Sequence, residues 1–145
     1  MLKIYKNVDL KEMARVGWIP SNQPKGIEVY VHTDDSGNIP HFHVRKYGDH
    51  NKFEWEVCVR YDSANYFEHG PYKGKLPTKT AKELDKMLRE KNPKDPERTY
   101  WKTAVVDWNN NNSDVELDPN IEQPDYTTLN NINERRIVFN RENEH

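Results

Sequence analysis

One cysteine, Cys58, stands in the 145 residues. A lone thiol excludes an intramolecular disulfide and a zinc site of the CxxC kind. No apolar run approaches membrane-spanning length. The first 18 residues, MLKIYKNVDLKEMARVGW, hold no apolar stretch of signal-peptide length. The expected setting is therefore a reducing cytoplasm, with no membrane partner. An excess of one charge is missing too: the formal net charge is −2, so no global field draws the chain onto nucleic acid, which ranks below protein as a partner. Walker, Rossmann, nucleophile-elbow and HExxH patterns are absent, which removes most nucleotide-dependent and zinc-protease functions. Apolar residues are scarce at 34%, against 32% charged, so the core should be thin and the surface heavily charged. Four Trp and eight Tyr argue against disorder throughout.

What is present reads as one α+β domain over residues 27–112, a small antiparallel sheet of three to four strands with two C-terminal helices packed on one face. Residues 1–26 form an N-terminal extension in which Val8, Met13 and Val16 can share a face of a short helix, with Asp9 at its start. Strands are expected at 27–33, 41–46 and 53–61, separated by the turn-rich clusters Asp34–Asn38 and Tyr47–Asn51. A shorter strand is expected at 66–68. Gly70 to Gly74 break the sheet. A helix follows over 77–91, with Thr78 or a Thr80/Glu83 capping box at its start and Ala81, Leu84, Met87 and Leu88 on its apolar face. A second helix is expected over 96–110, with a stripe of Tyr100, Trp101, Ala104, Val105 and Trp108. Residues 113–145 read as a polar tail, with a short strand at 136–139 that can dock on a partner or on another copy of the chain.

Alternation along the strands sets which side chains share a face. Ile27, Val29 and Val31, then Phe42 and Val44, then Trp55, Val57, Val59 and Tyr61 are the apolar sets, and all must turn toward the helices. Tyr30, His32, His41, His43, Arg45, Glu54, Glu56, Cys58 and Arg60 then share the opposite, polar face. A hairpin centred near Asp49-His50 puts Arg45 opposite Glu54, His43 opposite Glu56, and His41 opposite Cys58. A hairpin within Asp34–Asn38 puts His32 opposite His41. Partners so placed have Cβ atoms about 4.5–5.5 Å apart.

This face is the candidate site, for binding through His32, His41, His43, Arg45, Glu54, Glu56, Cys58 and Arg60. A His-x-His pair on one strand points both imidazoles the same way, which suits zinc; His32 can add a third ligand and Glu56 a fourth or a supporting contact. The first expectation is nonetheless no cofactor at all, with divalent zinc as the alternative. For catalysis, His41 and His43 are the candidate base and acid, with Glu56 beside them and Arg45 or Arg60 holding a phosphate. The plainer account is a solvated sheet face, where polar residues and an Arg45–Glu54 ion pair are ordinary. Cys58 at mid-strand reads first as a packing residue. Lys75, Lys79 and Lys82 read as the wet side of a helix. His50, His69 and His145 carry no interpretable context.

Ile39-Pro40-His41-Phe42-His43-Val44-Arg45, with Gly74-Lys75-Leu76-Pro77 at a helix start and Tyr100-Trp101 through Trp108-Asn109 in a closing helix, resembles the "domain of unknown function 4160" family of small bacterial proteins. The resemblance covers about residues 27–112. The extension, the tail and a longer Phe67–Tyr72 insert depart from the family pattern. The family has no established activity, and its members look like partners in toxin–antitoxin or mobile-element gene pairs. That implies a non-enzymatic factor of toxin–antitoxin or phage type, which binds a cognate protein or host target and is able to self-associate. The competing expectation is a small His-dependent nuclease or metal-assisted hydrolase acting through His32, His41 and His43.

Overall fold

A computed structural model describes residues 13–20, 26–33 and 39–130. Four antiparallel strands lie in chain order: β1 (Met13–Ile19), β2 (Ile27–His32), β3 (His41–Tyr47) and β4 (Phe53–Arg60). Then come helix α1 (Thr78–Arg89), a two-stranded ribbon of β5 (Lys91–Asn92) and β6 (Asp95–Thr99), and helix α2 (Tyr100–Asn111). The expected α+β architecture is observed. Among the described residues, no helix is long and apolar enough to cross a membrane.

The first correction concerns Met13–Ile19, a strand rather than part of a helix. Helical spacing of Met13 and Val16 is outweighed by pairing with the open edge of β2, from Met13 opposite His32 to Ile19 opposite Ile27. The register shifts between Arg15 and Gly17, and such an irregularity bends the strand locally. Gly17 lies against both helices: a Cβ there would sit 2.7 Å from Met87 Cε and 2.8 Å from Tyr100 Cε1. Val8 and Asp9, the other residues of the expected helix, lie outside the described residues.

Alternation places the core as expected. Val29, Val31, Phe42, Val44, Val57, Val59 and Tyr61 are buried together with Ala81, Leu84, Met87, Leu88, Tyr100, Trp101, Ala104, Val105 and Trp108, while Ile27 and Trp55 pack at the margin. Neither Thr78 nor Thr80 caps α1; Pro77 occupies the N-cap position, where no side-chain bond is made. The second helix begins at Tyr100, not at 96. Residues 95–99 instead pair back onto Lys91–Asn92. Asn92 closes that turn, its Oδ1 accepting from the Lys94 N–H at 3.0 Å, as Asn side chains do in competition with helix. Thr99 then caps α2, its Oγ1 accepting from the Lys102 N–H at 3.1 Å.

The fourth expected strand, 66–68, is reduced to a single bridge of Tyr66 to Val59. Its chain still follows β4, with Phe67 N–H donating to the Cys58 carbonyl at 2.9 Å. Of the stretch read as a polar tail, residues 113–130 pack on the domain. Leu117 and Tyr126 are buried. Trp101 Nε1 donates to the Ile121 carbonyl at 2.8 Å, and Trp108 Nε1 to that of Val115 at 2.7 Å. The short strand expected at 136–139 lies outside the described residues.

Candidate functional site

β2, β3 and β4 carry the polar face. The β2–β3 register, in which Tyr30 meets His43 and Glu28 meets Arg45, is the one that brings His32 level with His41. The β3–β4 register differs from expectation by two residues: His41 faces Arg60, His43 faces Cys58, and Arg45 faces Glu56. Two features add up to this slip. The connection runs from Tyr47 to Phe53 around a 3₁₀ turn with His50 in the left-handed region (φ 59°), and the pairing shifts again between Lys46 and Tyr47. A slip of two keeps every side chain on its face, so the expected set stays together although its partners change.

The face is not solvated. His41, His43, Cys58, Tyr30 and Glu28 are all buried, and His32, Arg45, Glu56 and Arg60 partly so. The segment after β4 covers it. Phe67 and His69 pack on His41 with ring centroids 4.8 and 5.0 Å apart, and Tyr72 meets His43 edge-on at 4.9 Å. Glu54 is the expected member left outside, exposed and paired with Lys46 at 3.2 Å.

Two knots of contacts organise the interior of the face. His43 Nδ1 lies 2.8 Å from Glu56 Oε2, which also accepts the Tyr30 hydroxyl. Tyr30 Oη lies 3.2 Å from His32 Nε2, and the His32 and His43 rings are 4.3 Å apart. Burial pushes the Glu56 carboxyl up, but the bonds from His43 and Tyr30, with the charges of His43 and Arg45, outweigh it and hold the group below its ordinary range. Burial, then the bond to Glu56, pushes the Tyr30 phenol far above its usual value. The second knot joins Cys58 to the histidines. Its Sγ lies 3.3 Å from His43 Nδ1 and 3.7 Å from Nε2.

The two arginines are engaged elsewhere. Glu28, a buried carboxylate outside the expected set, accepts from Arg45 Nε at 2.7 Å, from Arg15, and from the Tyr47 hydroxyl at 3.2 Å. The Arg45 guanidinium also stacks on Tyr30 and Phe53, 4.2 and 4.0 Å from their centroids. Arg60 holds Asp62 through two bonds of 2.7 and 2.8 Å. A phosphate held by Arg45 or Arg60 would compete with these carboxylates for the same guanidinium charge.

Among the described residues, two groups of side chains converge closely enough to share a metal ion: His41, Cys58 and His69, and separately His32, His43 and Glu56. Within each group the ligand atoms lie within 4.8 Å of one another. His69, Phe67 and Tyr72 are the site residues that strand periodicity misses, because they arrive on an irregular segment. The one available signal was the spacing of Phe67 and His69 two residues apart, directly after a strand-like Tyr66. Comparison with known proteins finds no family model that matches the chain, and no curated protein or solved structure that matches it.

Proposed function

We propose that this chain is a metal-binding protein whose covered sheet face holds a divalent ion of the zinc class. One observation carries the reading: four imidazoles, a thiol and a carboxylate, supplied by three strands and the covering segment, converge as two ligand groups on one face. Nitrogen and sulfur donors with a single carboxylate are the set that zinc takes, whereas calcium and magnesium require oxygen. The arginines of the face are bound to Glu28 and Asp62, so a dication is the charge best placed to draw these donors together.

Elemental analysis of protein purified without chelator tests the reading. About one zinc-class ion per chain is expected, removable by chelator and restored on addition of zinc with a rise in Tm. A chain that stays metal-free in micromolar zinc contradicts it.

Metal-assisted hydrolysis is a second reading, favoured by a specific observation. The His43–Glu56 pair has the form of an oriented general base, and its ring lies 5.1 Å from that of His41. Turnover of a phosphodiester substrate that requires the ion and is lost in His43→Ala would support it. Metal binding without any His43-dependent turnover would leave a binding role alone.

A further inference from the structure

We infer that the ion is held by His41, Cys58 and His69 and pins the covering segment to the sheet. The inference rests on the metal-binding reading and adds which of the two donor groups takes the ion and what the ion does there.

Tautomer geometry separates the groups. His41 Nδ1 lies 2.7 Å from the Ile39 carbonyl, and His69 Nδ1 lies 3.2 Å from the Phe67 carbonyl. A carbonyl only accepts, so Nδ1 carries the proton in both rings, and each neutral imidazole has its lone pair on Nε2. Donation of the other ring N–H to a backbone carbonyl is the support that metal-binding histidines ordinarily have, since it fixes the tautomer and the ring orientation. Two histidines on different elements share it here. In each, the acceptor lies two residues back along the chain, so the orientation is built in locally.

The rival group, His32, His43 and Glu56, is committed to itself. Glu56 holds His43 and Tyr30, and Tyr30 contacts His32. Seating an ion there would break those bonds, whereas an ion at Cys58 displaces longer sulfur contacts, 3.3 and 3.7 Å from the His43 nitrogens. It would also leave out Cys58, the donor zinc binds most readily as thiolate.

Reach is adequate. With Zn–S near 2.3 Å and Zn–N near 2.0–2.1 Å, a tetrahedral shell has edges of about 3.5 Å. One nitrogen of each imidazole and the Cys58 Sγ lie within 4.8 Å of one another, so closure takes on the order of 1 Å beyond the shell edges. His41 and Cys58 are buried on paired strands. The adjustment falls to His69, partly exposed on a turn that the Tyr72 N–H closes onto the His69 carbonyl at 2.9 Å, with Gly70 at φ 51°. Three protein ligands leave a fourth position for water. An ion so held joins β3, β4 and the covering segment, and keeps Tyr72 over His43.

Titration of the metal-free chain with cobalt(II) tests the assignment. Wild type should take one equivalent and show the near-ultraviolet absorption of a thiolate-to-cobalt charge transfer. Cys58→Ser should lose that band. His69→Ala, a change at a partly exposed position, should weaken binding at least about tenfold, because even supporting contacts to a metal ligand are worth 10–100-fold. It should also speed proteolysis between residues 66 and 74. His32→Ala should retain both band and affinity, with far-ultraviolet circular dichroism confirming that each variant folds. Cobalt binding that lacks the thiolate band, ignores His69→Ala and disappears in His32→Ala overturns the assignment in favour of the rival group. Absence of cobalt and zinc binding by wild type overturns the metal-binding reading itself.

Discussion

Replacing Asp107 by Asn should stabilise the protein at neutral pH. Asp107 lies on α2, half-buried in the wall of a cavity of about 410 Å³ that it shares with Arg15, Trp18, Asn92, Lys94 and Tyr100. Burial pushes its carboxyl up to about 6 from 3.8, against the opposing pull of Arg98. Arg98 itself is bonded to Asp95 at 3.2 Å. A shift of about two units corresponds to roughly 3 kcal/mol, and solvent screening at a half-buried site reduces this to about 1–2 kcal/mol. The sign follows from linkage. Below about pH 3 both folded and unfolded chains carry the proton, and the site costs nothing. As pH rises from about 3 to about 6 the unfolded chain releases the proton first, so the folded state loses stability, and above about 6 the loss levels off. Urea denaturation of both proteins at pH 7 and about pH 3 measures it. The variant should be more stable by about 1–2 kcal/mol at pH 7 and level with wild type at about pH 3. A variant less stable than wild type at pH 7 would refute the reasoning, because it would mean that the carboxylate is held by a cation.

Two further perturbations probe the packing that positions the site. Gly17→Ala places a Cβ 2.7 Å from Met87 Cε and 2.8 Å from the Tyr100 ring; the flexible methionine can yield but the ring is packed, so urea denaturation should show a loss of about 1–3 kcal/mol. An unchanged midpoint would mean that β1 does not seat against the helices as described. Asp85→Ala removes the acceptor of the buried Tyr126 N–H, 3.0 Å away, and of Gln123 Nε2. It should cost about 1–3 kcal/mol and raise amide exchange at Tyr126; exchange there matching wild type would show that the 113–130 segment is held by other contacts.

Strand periodicity carried most of what was legible. Val29, Phe42, Val44, Val57 and Val59 turn inward because a one-residue slip would expose all of them, and the same constraint kept His32, His41, His43, Glu56 and Cys58 on one face. Period two is blind to slips of two. A five-residue connection and one register shift were therefore enough to replace the expected His43–Glu56 and His41–Cys58 oppositions with His43–Cys58 and His41–Arg60. The diagonal His43–Glu56 contact survived because the two side chains still reach each other. Burial of the face was illegible for a different reason. It depends on Phe67, His69 and Tyr72, which lie on a segment with no period. Met13–Ile19 was misread because its strand state is imposed by the β2 edge and by the close approach of Tyr100 to Gly17, both tertiary effects.

X-ray absorption at the zinc edge of the zinc-loaded chain tests the central claim most directly. The account expects one sulfur at about 2.3 Å and two imidazole nitrogens at about 2.0–2.1 Å, from Cys58, His41 and His69. A shell of nitrogen and oxygen alone, or a chain that retains no zinc to measure, would contradict it.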